Sequence, residues 1–421
     1  MTDTIYAVSS GAPPAAIAVI RISGPKADSA LAALAGRLPE PRRATLGELR
    51  EGGELLDTAI LLRFPGPASA TGEDVAELHL HGGRAVIAAV TGALGRIEGL
   101  RAAEPGEFTR RAFDNGCLDL AEAEGLADLL TAETETQRRS AMAMAGGALS
   151  RAVDAWRTKL LDIAAAVEAE LDFSDEDDVH QTGPQITEPI LALANDMRAA
   201  LLRPPAERLR DGVRVVMAGP PNAGKSSLFN ALVQREAAIT SAVAGTTRDV
   251  IEAPVSIAGL PLIIVDTAGL RDTADEVERI GVDRAREMVA DADLVVWLGD
   301  PDDAPPGAMS VQTMADVIPR RGDVEISVSA FTGVGIDDLM QRILFRARML
   351  LPRPGEAALN ARHRLILDEC IAALIEARST ADLLIVAEAL RQARAALDRV
   401  TGRAGVEDML DALFGRFCIG K

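Results

Sequence analysis

The stretch "VRVVMAGPPNAGKSSLFNALVQ" (213–234) decides how this chain is read. An apolar, β-branched run ends in G-x-x-x-x-G-K-S (219–226), and a helical pattern begins directly behind it. Strand, glycine-rich loop and helix are the context in which that spacing binds phosphate. Gly219 and Gly224 let the backbone wrap round an anion, so that loop N–H groups and the helix N-terminus face it. Lys225 is expected to reach the β- and γ-phosphates and Ser226 to hold Mg²⁺, with Asn222, Ala223 and Ser227 completing the cradle.

Two downstream segments narrow the nucleotide. "DTAG" (266–269) ends an apolar strand. Asp266 stands where a carboxylate behind the Mg²⁺ belongs, Gly269 lies near the γ-phosphate, and Thr267 and Ala268 link them. "GTTRD" (245–249) offers Thr247 as the switch ligand to Mg²⁺. Phosphate loop, switch threonine and D-x-x-G in this order indicate a GTPase rather than a generic ATPase.

The guanine-reading edge departs from pattern. N-K-x-D is absent, and the nearest match is "TMAD" (313–316), which keeps Asp316 but has Thr313 for Asn and Met314 for Lys. A buried carboxylate at Asp316 would penalise adenine; the other reading of Asp316 is a surface turn residue. "SAFTG" (329–333) supplies Ser329 and Ala330, whose backbone is expected to help hold the base. The connection "PDDAPPGAMS" (301–310) is too short and proline-rich for a crossover helix. Weakened affinity and relaxed specificity are the expectation.

Around this unit the texture changes twice. Residues 1–118 read as mixed α/β, with strand-like runs at 16–24, 59–64 and 76–81 and helical patterns at 27–36 and 84–97. From 119 a helical pattern runs almost unbroken, interrupted mainly at Gly146–Gly147, to the acidic "SDEDD" (174–178). Another helix is expected at about 187–202. Helix resumes at about 358 and continues to the end. The expected architecture is therefore multidomain α/β plus all-α: an N-terminal α/β domain (1–118), a helical domain in two parts (119–210 and 349–421), and an inserted Ras-like P-loop GTPase domain (211–348).

Composition bounds the partners. The 421 residues are 48% hydrophobic and 25% charged, which suits globular cores. A net charge of −19 argues against a protein that grips nucleic acid mainly through phosphates. Three distant cysteines, Cys117, Cys370 and Cys418, point to a reducing compartment. No signal pattern appears and no apolar run reaches roughly 18 residues. A cytoplasmic protein with no membrane association is expected. His79 and His81 alternate on one strand without the company a zinc site needs.

The set "PNAGKSS", "AGTTRD", "DTAGLR", "DEVERIG" and the terminal "FCIGK" resembles the MnmE (TrmE) family of tRNA modification GTPases, within the TrmE-Era-Septin-like, HAS-GTPase group. "RISG", "FPGPASATGEDVAELHLHGG" and "EPGEFTRRAF" extend the resemblance over the whole chain. The resemblance implies that Glu278 acts on the attacking water, because Leu270 stands where Ras-like enzymes carry glutamine. It implies a K⁺ site from Asn222, Ser241, Val243 and Thr246 within the segment that also holds Ala242, Ala244 and Gly245. Arg248 and Arg271 read as switch and dimer contacts. It further implies a first domain that binds 5,10-methylene- or 5-formyl-tetrahydrofolate through Arg21 and Glu77 and mediates homodimerisation. Cys117 replaces a usually basic position there. Cys418 becomes a catalytic thiol brought near the folate by dimerisation, and Lys421 a folate contact. The implied activity, with the FAD-dependent partner MnmG, adds a carboxymethylaminomethyl-type group to C5 of the wobble uridine of certain tRNAs. A GTP-dependent RNA or ribosome assembly switch without modification activity is the other reading.

Overall fold

The computed structural model describes residues 3–173, 184–236, 251–267, 287–353, 355–404, 407–415 and 417–421. The chain forms two compact units: Met1–Ala127 with Asp398–Lys421, and Asp128–Leu397. The C-terminal residues thus belong with the N-terminal domain, although the whole stretch from about 358 reads from sequence as one helical texture.

The first unit is built on a six-stranded sheet in the order β3-β4-β5-β2-β1-β6. Its strands are β1 (Thr4–Val8), β2 (Ile17–Ser23), β3 (Thr45–Glu51), β4 (Glu54–Phe64), β5 (Val75–His81) and β6 (Leu100–Ala102). All neighbours are antiparallel except β1 and β6. Alternation sends Ile20, Ile22, Leu61, Leu78 and Leu80 into the core. Helices α1 (Ala27–Ala35) and α2 (Arg84–Gly95) cover that face with Leu31, Leu34, Val90 and Leu94. The β3–β4 turn uses Gly52 and Gly53, both at positive φ (56° and 92°), as a tight two-residue hairpin requires.

After β6 the chain forms α3 (Glu107–Asp114) and α4 (Leu120–Thr131). Leu120, Phe414 and Phe417 form a small apolar core with the flanking Phe113. Arg111 on α3 is 1% exposed and ion-pairs with Asp3, Glu73 and Glu107, while Arg101 binds Glu107 and Asp3 from the other side. Such a network fixes the N-terminus, the 66–74 loop and α3 in one geometry.

In the second unit the helical run has a break that the sequence pattern hides. Helix α5 (Glu135–Ala145) is separated from α4 by residues 132–134, where Thr134 and Gln137 form a capping box. Helices α6 (Ala148–Phe173), α7 (Pro184–Leu201) and α8 (Ala206–Asp211) follow. The helix Ala361–Ser379 opens on another capping box, from Asn360 and the buried His363. Helix Leu383–Val400 comes next.

The second sheet has the order β12-β11-β10-β7-β9-β8. It comprises β7 (Val213–Ala218), β8 (Ile251–Ile257), β9 (Leu260–Asp266), β10 (Leu294–Trp297), β11 (Met309–Gln312) and β12 (Ile326–Ser327). Strands β7, β9, β10, β11 and β12 are parallel, and β8 is antiparallel at the edge. Between β10 and β11 there is only a 3-10 turn at Pro301–Asp303, in keeping with the short proline-rich connection. Helices α9 (Lys225–Glu236) and Ile336–Met349 contribute Leu228, Leu232, Leu339 and Ile343 to the core of this sheet.

Candidate functional site: a phosphate loop and a separate strand-and-tail site

Strand β7 delivers the loop 219–224 to the N-terminus of α9. Gly219 turns off the strand at φ 146°, where a Cβ would lie 3.1 Å from the Leu298 carbonyl carbon. Asn222 (φ 58°) and Gly224 (φ 89°) bend the backbone through the left-handed region. Lys225 is buried, and its ammonium donates to Gly219 O and Pro220 O at 2.9 and 2.8 Å. Asn222, Ser226 and Ser227 are exposed at the loop's open side. The first turn of α9 carries no acidic residue.

Parallel register places the second element. Met217 pairs with Asp266 across β7 and β9, so the fully buried carboxylate ends its strand level with the start of the loop. Thr267 is buried beside it and donates from Oγ1 to Met217 O at 2.8 Å. An acid-free helix N-terminus, a backbone bent by three residues at positive φ and a buried ammonium fit a polyphosphate. The Ser226 hydroxyl with the Asp266 carboxylate fits a hard divalent cation.

The 313–316 loop corrects one expectation. Thr313 Oγ1 donates to Ala223 O at 2.7 Å and ties the 313–316 loop to the phosphate loop. Asp316 is exposed, so the buried carboxylate invoked to penalise adenine is absent. Ser329 is buried with its N–H donated to Val334 O. The positions Ser241, Ala242, Val243, Ala244, Gly245, Thr246, Thr247, Arg248, Ala268, Gly269, Leu270, Arg271 and Glu278 lie outside the described residues.

The first unit gathers a different set. Arg21 and Glu77 are cross-strand partners on β2 and β5, and their side chains bond directly, Nε to Oε1 at 3.1 Å. His79 Nε2 lies 3.3 Å from the other oxygen of Glu77. The Arg21 guanidinium lies 5.7 Å from the Phe108 ring centroid, a contact that strand alternation does not reveal. His81 instead pairs with Asp57 at 2.7 Å, so the two histidines do not converge. Among the described residues, no group of three or more His, Cys, Asp or Glu could hold a metal ion.

The tail reaches this unit within its own chain. Ile419 bridges Pro105, and Gly420 (φ 97°) presses so closely on β1 that a Cβ would lie 2.2 Å from Val8 O. Ala7 and Val8 pair with Arg21 and Ile20, so the tail docks on the strand next to Arg21. Cys418 is exposed, and its carbonyl accepts from Lys421 N–H at 3.2 Å. Cys117 is also exposed, whereas Cys370 is buried and its thiol is pushed up to about 12 by burial. Arg416 lies outside the described residues. No described helix is long and apolar enough to cross a membrane.

Comparison with known proteins agrees with this layout. A family described as "MnmE helical domain" matches residues 120–418, and "GTP-binding protein TrmE N-terminus" matches 4–117. The chain is 58% identical over 423 residues to the tRNA modification GTPase MnmE of Erythrobacter litoralis, covering 100% of both chains. It is 58% identical over 426 residues to the protein of the same name from Rhizorhabdus wittichii, covering 100% of this chain and 97% of that one. The MnmE of Zymomonas mobilis is 49% identical over 432 residues, covering 99% and 100%. With its phosphate loop, its N-terminal domain and its helical domain all matched, the chain belongs to the MnmE family of tRNA modification GTPases.

Proposed function

We propose that the chain hydrolyses GTP with Mg²⁺ and K⁺ and couples this to modification of the wobble uridine of certain tRNAs at C5, as a homodimer working with MnmG. The observation that carries the nucleotide half is the buried Lys225 ammonium held over the bent loop at the start of α9. In this reading Lys225 leaves its two carbonyl partners to bind the β- and γ-phosphates. Loop N–H groups orient the chain of phosphates for in-line attack. Ser226 and Thr247 would hold the divalent cation, which would neutralise charge across the phosphates. Asn222, with Ser241, Val243 and Thr246, would hold a monovalent cation, which would offset transition-state charge. Glu278 orients the water, the task that Leu270 cannot perform.

The one-carbon half rests on the Arg21–Glu77 pair and the tail beside it. Arg21, Glu77 and Lys421 present charge complementary to a folate's pterin and glutamate portions, and Cys418 stands exposed in the same unit. Cys117 cannot replace an ammonium towards a glutamate tail. The cytoplasm is the proposed location. The deciding experiment measures GTP turnover in K⁺ and in Na⁺, with and without MnmG, together with tRNA modification by mass spectrometry. Turnover that collapses in Na⁺ and modification that needs both proteins are expected. K⁺-dependent turnover without any tRNA modification would favour an assembly switch instead.

A further inference from the structure

Strands β8 and β9 form a hairpin whose two ends meet different parts of the second unit. At one end Ile251 pairs with Asp266, the buried carboxylate beside the phosphate loop. In sequence, β8 follows closely on "GTTRD" and β9 ends on the first residue of "DTAG". Register is unbroken from there to Ile257 opposite Leu260. Ala258 (φ 51°) and Gly259 (φ 75°) then close a two-residue turn in the left-handed region. The length of β9 puts that turn roughly 20 Å from Asp266. Helix α5 grips this far end. Gly259 O accepts from Thr136 N–H at 3.3 Å and from Thr136 Oγ1 at 2.7 Å. The next residue holds another segment: Gln137 Nε2 donates to Leu209 O and Arg210 O, both at 3.1 Å. Those carbonyls belong to α8, which leads through Gly212 into β7 and so to the phosphate loop. Gln137 Oε1 is itself fixed by the N–H groups of Glu133 and Thr134, at 3.0 and 2.9 Å.

We infer that the first turn of α5 is the joint that passes the state of the phosphate site to the helical segments, with Thr136 following the position of the β8–β9 turn; this rests on the nucleotide reading given above. A ligand moves such an element only by binding two of its arrangements unequally. Nucleoside di- and triphosphate differ by the γ-phosphate, and the two motifs assigned to it adjoin the paired residues Ile251 and Asp266. Strand β8 is the edge of the described sheet, so it shifts with fewer bonds at stake than an inner strand. Tilting of the hairpin displaces Gly259 O, and two hydrogen bonds to that one carbonyl carry the displacement to α5. Gln137 meanwhile holds α5 to the end of α8, which gives the motion a pivot. A cavity of about 40 Å³, lined by Gln137, Ser140, Met144 and Leu209 among others, leaves α5 room to answer.

Hydrogen exchange of the full chain, loaded in turn with GDP and with a slowly hydrolysed GTP analogue, tests this. In the parent, amides of residues 137–145 should differ between the two states by about fivefold, the scale of one hydrogen bond gained or lost. Thr136→Val nearly keeps the side-chain shape but removes the hydroxyl, and α5 should then exchange alike in both states. Residues 257–261 should still respond in that variant, and its GTP turnover should match the parent's. Thr136→Ser should restore the α5 difference, and circular dichroism establishes that both variants are folded. An α5 difference that survives in Thr136→Val, or a response lost from both ends together, overturns the joint. So does a parent that binds both nucleotides and shows no α5 difference. A parent whose phosphate loop exchanges alike with and without either nucleotide overturns the nucleotide reading instead.

Discussion

The two candidate sites are built on opposite principles. Arg21 and Glu77 sit on paired strands, so their meeting is set by sheet register and needs no loop. The phosphate site is almost entirely loop, and only Asp266 and Thr267 owe their position to a strand and its register. A ladder gives a preformed pair whose geometry changes only if the whole sheet shifts. A loop gives a backbone free to reshape round an anion and to exchange one set of partners for another, as Lys225 must do. The contrast teaches where each half of the protein stores its specificity: in side chains on the sheet, in main-chain curvature at the loop.

The sharpest way to break the comparison is Lys225→Ala. GTP hydrolysis should fall by about 10²–10³-fold, the scale of losing one preorganised donor to a reacting group. Tetrahydrofolate binding by the same preparation should be unaffected, and a parallel loss would mean the sites are not independent. Arg111→Met attacks the other side. It leaves Glu73 and Glu107 without their buried cation and should destabilise the first unit by about 3–5 kcal/mol in a urea melt.

Gly420→Val should detach the tail, because its Cβ would overlap the Val8 carbonyl at a φ that valine resists. A loss of about 1–3 kcal/mol is expected, read as faster hydrogen exchange over 417–421 with GTP turnover unchanged. Thr313→Val removes one hydrogen bond between two loops. About 0.5–1.5 kcal/mol of nucleotide affinity should go with it, while Thr313→Asn should restore it. The smallest effect concerns acid. Burial pushes the Glu107 carboxyl up, but the Arg101 bond, the Glu104 N–H and Arg111 outweigh it, so it lies below its ordinary 4.5. Its contribution to stability is therefore complete above about pH 4.5 and is lost as pH falls through the lower folded value. Arg101→Gln should flatten that part of an acid-unfolding profile.

Sequence patterning made much of this legible, and its gaps have physical causes. Alternation marks β2 and β5, and the phosphate loop is visible because its spacing and its strand–helix context coincide. Strands β1 and β6 escaped because five and three residues are too few to carry a period. Strand β8 contains Pro254, tolerable only because it lies at a sheet edge. The break before α5 depends on Thr134 and Gln137 acting as a pair, which a hydrophobic period does not register. Thr313 looked like damage to a motif, yet its single hydroxyl makes the bond to the phosphate loop. Asp316 follows β11 by four residues, and its exposure depends on a loop that local sequence does not describe.

Docking of residues 417–421 on β1 has a consequence for biogenesis. The first unit joins residues 1–127 to 398–421, so a chain made from its N-terminus holds an incomplete core until the second unit has been synthesised. During that interval Phe113 and Leu120 lack Phe414 and Phe417, and the surface of Val8 that receives Gly420 stands open. A ribosome stalled between the two units would therefore display a sticky, unfinished first domain to chaperones and proteases. Arrival of the last helix converts it into a closed one, so maturation of the strand site waits on the final two dozen or so residues.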